Sequence, residues 1–344
     1  MHASIVDLSP IPADGTATDA YALTTERARR AESLGYTRFW VAEHHAFTER
    51  LAGTTPEVLI SHLAANTESI RLGSGAVLLN HYSPYKVAET FGVLDALAPD
   101  RIDCGLGRAT GDPVGDHALQ VDRSERPKPG DHEGKIHEVA AHLYDGFDAD
   151  HPFSGLDVVR SGASIPDVWV LGSSPSSAGL AGRLGLPYAF AAFIRPEPAV
   201  HAFETYREHF EPSPFGAGPP EPRGLLAVNV TCAETDAEAA RLRAPTEVTF
   251  RRLRRGQLDR PPIRTVEAAI DELGGVPEPT PATLEPGAWP RAISGSPETC
   301  VDLLDQLTTQ AGVEEVMVQT SHPDPEDTRR SDELLAEALD LPGR

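Results

Sequence analysis

Two rhythms of apolar residues alternate along this chain. Short aliphatic and aromatic runs over residues 4–8, 37–41, 70–79, 101–106, 168–171, 188–193, 225–231 and 315–319 have the length and β-branched content of strands. Between them, apolar positions recur at helical spacing over 19–34, 57–65, 84–97, 132–144, 176–184, 197–210, 236–255, 266–273 and 296–310, with a terminal helix over 330–339. Punctuation supports these limits: Gly35 fits a helix C-cap, and Pro56 sits in the favoured first turn. Most of the strands are too apolar to leave a face in water, which predicts parallel strands covered by helices. Eight such strands make a closed α/β (β/α)8 TIM barrel the economical fold, occupying residues 1–344 as one domain. A doubly wound open sheet is the competing arrangement. Three insert-like loops interrupt the pattern, at about 111–131, 212–224 and 256–292, and the first is long and rich in Gly and Pro. A connector of that length is expected to be functional or mobile.

Composition narrows the function classes. Asp and Glu total 52 against 30 Lys and Arg, for a formal charge of -22, and the only lysines are Lys86, Lys128 and Lys135. A nucleic-acid or anionic-membrane surface needs a basic patch, and none is visible. Self-repulsion of this size is relieved by salt, so the balance suggests a halophilic, salt-rich cytosol. Three widely spaced cysteines, Cys104, Cys232 and Cys300, give neither a disulfide framework nor a zinc pattern. The first residues lack a basic segment followed by an apolar run, and no stretch reaches the ~18 apolar residues of a membrane span. A soluble cytoplasmic protein is the expectation.

Candidate chemistry collects where strands end, which in such barrels is where active sites form. The strand over 37–41 runs directly into Glu43-His44-His45, placing acid/base groups at the sheet's carboxyl edge. Gly73-Ser74-Gly75 and Asn80-His81 accompany the third strand, and Gly105-Leu106-Gly107-Arg108 the fourth. Gly172-Ser173-Ser174-Pro175-Ser176-Ser177 follows the fifth, opening an apolar helix. Those serines read either as an N-cap cluster or as a phosphate cradle, because free N–H groups, hydroxyls and the positive helix end converge there. His132, His137 and His142 recur every five residues, which turns each ~140° from the last and puts them on different faces. No His-x-His or His-Glu-x-x-His occurs, so no metal ligands are assigned and a metal-dependent hydrolase is the lesser reading.

These residues carry a family resemblance. The runs Leu8-Ser9-Pro10, Ala31-Glu32-Ser33-Leu34-Gly35-Tyr36, Phe39-Trp40-Val41-Ala42-Glu43-His44-His45, Gly73-Ser74-Gly75-Ala76-Val77, Ser83-Pro84-Tyr85-Lys86 and Arg101 to Arg108 resemble the bacterial-luciferase-like flavin-dependent oxidoreductases. Similarity is densest over residues 1–110 and resumes at Leu171 to Ala178 and in the tail. The resemblance implies a barrel that binds FMN at its carboxyl face, with reduced FMN and O2 acting on a small organic substrate such as an aldehyde or ketone. A separate flavin reductase and a homodimer are implied partners. Glu43, His44 and His45 would line the flavin pocket, with His44 as the catalytic proton donor and acceptor. Gly75-Ala76 matches a position where the family often has a non-proline cis peptide under the flavin ring. Arg108 resembles a flavin or phosphate contact, and Gly172, Ser173, Ser174 and Ser177 the phosphate loop. The family's luciferase proper carries a reactive thiol where this chain has Gly107, so light emission is not implied. An F420-dependent hydride-transfer enzyme is the nearest alternative, and a non-catalytic flavin-binding protein the alternative from another class. Strand alternation puts Glu43 and His45 on one side of the chain and His44 on the other, so Glu43 is expected to orient rather than to transfer protons.

Overall fold

In a computed structural model, the described residues are 1–47, 49–108, 113–120, 131–257 and 260–343. The chain runs β1 (His2–Asp7), α1 (Ala17–Ser33), β2 (Arg38–Val41), α2 (Pro56–Ala64), β3 (Arg71–Ser74), β4 (Val77–Leu78), α3 (Pro84–Leu97) and β5 (Ile102–Gly107). It continues α4 (Pro113–Leu119), α5 (Asp131–Tyr144), β6 (Asp167–Gly172), α6 (Pro175–Arg183), β7 (Tyr188–Ala191), α7 (Ala199–Glu208) and β8 (Gly224–Cys232). The remainder is α8 (Asp236–Leu242), α9 (Ala244–Arg254), α10 (Val266–Leu273), β9 (Ala292–Gly295), α11 (Pro297–Ala311), β10 (Glu315–Gln319) and α12 (Pro325–Ala338).

All strand pairings are parallel, and the sheet closes on itself. The order β10-β1-β2-β3-β5-β6-β7-β8 is completed by pairing of β10 with β8, giving the expected eight-stranded barrel. Side chains alternate across its wall. Ile5, Phe39 and Val41 face the helices in the large outer core, while Val6, Trp40, Trp169, Ala189, Leu225 and Met317 fill the interior. Trp40 and Trp169 meet edge to face with ring centroids 5.7 Å apart. At the amino-terminal end the barrel is plugged by charge. Arg38 reaches Glu315 at 2.6 Å and Asp103 at 3.2 Å, and Arg71 reaches Asp103 at 2.7 Å. With that end closed, the carboxyl end is the open mouth.

Several elements depart from the sequence pattern, each for a local reason. The strand predicted over 70–79 breaks into β3 and β4 around a cis peptide bond between Gly75 and Ala76. The Ser74 hydroxyl stitches the break by donating to the Gly105 carbonyl at 2.8 Å and accepting from the Gly105 N–H at 2.9 Å. A Cβ on Gly105 would lie 1.9 Å from the Ser74 carbonyl oxygen, so only glycine fits beside the stitch. The charged helix predicted over 236–255 is two helices, α8 and α9, with Pro245 in the first turn of the second. The 256–292 insert holds α10 and ends at β9, a strand the pattern did not predict. The predicted terminal helix begins earlier, at Pro325, with Asp324 as its cap. Most of the 111–131 insert lies outside the described residues; those described include α4, which periodicity also missed.

Candidate functional site

Over the open mouth lies a cavity of about 1850 Å³, lined by strand ends and the loops that leave them. Its middle is built from β2 and the β3–β4 break. His44 lines the cavity while its backbone N–H donates to the Gly53 carbonyl at 2.8 Å, which fixes the turn out of the strand. Its Nδ1 is buried and makes no hydrogen bond among the described residues. Burial, with a smaller push from His45, lowers its pKa to about 4. The imidazole is therefore neutral at neutral pH, not titrating there as an unperturbed histidine would.

Glu43 lines the cavity beside His44, with its carboxylate engaged by the surrounding protein. The Glu43 carboxylate accepts from Tyr82 at 2.6 Å and from the Leu78 N–H at 2.9 Å, and sits 2.7 Å from His45 Nε2. Three partners fully occupy a carboxylate that is almost entirely buried, so Glu43 ties β2 to β4 and to the segment before α3. His45 is not among the residues lining the cavity. Gly75, Ala76 and Gly107 make a bare floor beside His44: a Cβ on Gly107 would stand 3.0 Å from the Ala76 Cβ.

A second wall is formed by the turn that opens α6. Ser174 caps α6 by accepting from the Ser177 N–H, while Ser177 donates to the Ser174 carbonyl at 2.8 Å and lies 3.1 Å from the Tyr188 hydroxyl. Ser177 is thus held inside the turn. The Ser173 hydroxyl and Ser176 N–H make no hydrogen bond among the described residues, and both serines line the cavity. Arg108, Arg183 and Gly172 line it too, Arg183 paired with Glu133 at 3.0 Å. His132 reports the local field: burial first, then the charges of Arg108 and Lys135, lower its pKa to about 4.

Among the described residues, no group of three His, Cys, Asp or Glu side chains could hold a metal, and no helix is long and apolar enough to cross a membrane. The luciferase-like monooxygenase profile matches residues 1–315. The chain belongs to the luciferase-like monooxygenase family. Over 98% of each chain it is 41% identical to YwcH, an uncharacterised Bacillus subtilis protein. It is 34% identical to the N-acetyl-S-alkylcysteine monooxygenase of Bacillus subtilis, over 98% of this chain and 97% of that one. The apo-MsnO8 crystal structure superposes with a TM-score of 0.86 at 42% identity, covering 100% of this chain and 99% of that one. More distant luciferase-like folds include an FMN complex of the oxygenating constituent of 3,6-diketocamphane monooxygenase from Pseudomonas putida and an F420-dependent secondary alcohol dehydrogenase. At 21% and 16% identity these share the fold alone.

The luciferase-like resemblance named His44, the Gly75-Ala76 floor, Arg108 and the serine loop, and the structure brings all of them to one cavity. Sequence reasoning missed the segment leaving β10, where Gln319, Ser321 and His322 also line it. The available signal was a polar run, Gln319-Thr320-Ser321-His322, directly after an apolar strand, the same junction that drew attention to Glu43-His44-His45.

Proposed function

We propose that this protein is a flavin-dependent monooxygenase that uses reduced FMN and O2 to oxygenate a small, largely apolar organic substrate of the aldehyde or ketone kind. The observation that carries the reading is His44, a buried neutral imidazole with an orphaned nitrogen beside a bare glycine-alanine floor. FMN suits these residues. A flat ring needs a floor without side chains, and a phosphate needs unengaged donors at a helix N-terminus beside cations. Gly75, Ala76 and Gly107 supply the first; Ser173, the Ser176 N–H and Arg108 supply the second. Ser174 and Ser177 shape that turn.

Reduced FMN, when bound, supplies two electrons to O2, so that one oxygen atom enters the substrate and the other leaves as water. What this chain contributes is position and proton handling. A neutral His44 accepts a proton at a ring nitrogen and returns it, and burial keeps the imidazolium short-lived. Glu43 takes no part in transfer; its bonds to Tyr82, His45 and the Leu78 N–H hold the His44 backbone and β4 in register. A separate reductase supplies the reduced flavin.

The cofactor is read directly from the absorbance spectrum and mass of the small molecule that the purified protein retains and releases on denaturation; F420 in place of FMN would overturn the reading. His44→Ala should keep flavin affinity within a few-fold while slowing substrate oxidation by ~10²- to 10⁴-fold. Wild-type protein that binds flavin yet yields only peroxide with every aldehyde and ketone offered would mark a flavin-binding protein without turnover.

A further inference from the structure

Beyond the Ala76 floor, β4 runs into a single 3-10 turn, Leu79–His81. Lys135, from α5, fastens that turn from outside the barrel: its ammonium donates to the carbonyls of Leu79 at 3.2 Å, Asn80 at 2.9 Å and Tyr82 at 3.1 Å. From the other side, Glu43 accepts from the Leu78 N–H and the Tyr82 hydroxyl. The backbone on both sides of Asn80 is therefore pinned. Its side chain is not: among the described residues the Asn80 amide makes no hydrogen bond, although its Oδ1 is buried and the residue lines the cavity.

A primary amide carries an acceptor and a donor side by side, so one orientation buries an unmatched oxygen and the flipped one an unmatched nitrogen. Neither is satisfied by the protein, and a buried polar atom without a partner carries a cost that a ligand's hydrogen bond removes. Such a ligand must offer a donor next to an acceptor. The place of that edge on the ligand follows from the order of the strands. Going round the wall from the serine turn after β6, Gly107 ends β5, then come Ala76 and, past β4, Asn80. A flat ring whose phosphate tail is at the serine turn and whose face covers Gly107 and Ala76 brings its far edge to Asn80. One end of an isoalloxazine is a pyrimidine imide, a ring N–H between two carbonyls, and the other is a dimethylbenzene with no hydrogen-bonding atom. Only the imide end relieves Asn80.

Resting on the reading that the cavity holds FMN, we propose that Asn80 binds the imide edge of the flavin ring, its amide oxygen accepting from N3–H and its amide nitrogen donating to an adjacent ring carbonyl. A small turn of the amide about its last torsion, which is soft in asparagine, presents the buried oxygen. Lys135 keeps the turn in place for that contact. The ring's direction follows: its pyrimidine end lies against the turn after β4, and its dimethylbenzene end points away from it. Asn80 thus selects the ring, while the serine turn selects the phosphate.

The test pairs one change in the protein with one in the ligand. Dissociation constants are read by fluorescence titration for FMN and for 3-methyl-FMN, in which a methyl group replaces the N3 hydrogen. Wild type should bind FMN about tenfold more tightly than 3-methyl-FMN, the ratio for about one hydrogen bond. Asn80→Ala should weaken FMN about tenfold and bind the two flavins alike, because it removes the acceptor and leaves room for the methyl. Since the side chain has no protein partner, the apo variant should melt where the apo wild type does. Wild type that binds both flavins equally would overturn the proposal, as would a preference that persists undiminished in Asn80→Ala. An apo variant that melts lower and weakens both flavins by the same factor would make Asn80 a structural residue and overturn it too. Wild type that binds F420 and no FMN refutes the flavin reading and the proposal with it, before any variant is made; failure of the 3-methyl comparison alone leaves the FMN reading standing.

Discussion

Acid should unfold this protein earlier than its carboxylates alone would require, and His322 provides a clean measure. Its pKa falls from 6.5 to about 4 in the folded chain because burial disfavours the imidazolium. Between those values the unfolded chain binds a proton that the folded chain refuses, so stability falls as pH drops from 6.5 toward 4. Integrating one such group from about pH 7 to about pH 5 gives a loss of roughly 2 kcal/mol. Carboxylates begin to titrate over part of this range, so the useful quantity is a difference. Urea unfolding of wild type and His322→Gln at several pH values should give curves whose separation changes by about that amount, the variant losing less on acidification. Curves that stay parallel would refute the inference that His322 is buried uncharged, whatever the variant does to absolute stability at neutral pH.

Asp332→Asn should destabilise the protein by about 1.5 to 3 kcal/mol in chemical denaturation, because Arg27 loses its two-point carboxylate partner and keeps only Asp7 and the Thr320 carbonyl. Changing Ser173 and Ser174 together to alanine should weaken FMN binding more than riboflavin binding; equal losses would reduce the loop to a helix cap. The charge of -22 predicts a melting temperature that rises substantially from low salt to molar KCl, and a flat response would remove the argument for a salt-rich cytosol.

The fold was legible because a parallel barrel writes itself as apolar runs alternating with amphipathic helices. The site was legible where several unusual residues stand together, as in Glu43-His44-His45 or the serine run. Neutral His44 was not legible, since its pKa depends on burial by segments distant in sequence. β9 escaped because Ala292-Ile293-Ser294-Gly295 has one large apolar residue and follows a Pro-rich stretch. Gln319 and His322 escaped because a polar run after a strand, Gln319-Thr320-Ser321-His322, looks like any loop until the fold brings it to the cavity.

β8 is nine residues long, and its two halves have different neighbours: residues from Leu225 to Asn229 close the barrel against β10, and those from Asn229 to Cys232 hold β9. The long excursion through α8, α9 and α10 therefore leaves from the end of β8 and returns to that same strand, beyond the ring. The pairing that closes the cylinder, β8 with β10, does not involve this segment. Phe250, Leu253 and Ile263 from the excursion line the cavity, so substitutions there would reshape its wall while leaving the strand pairings that close the barrel in place.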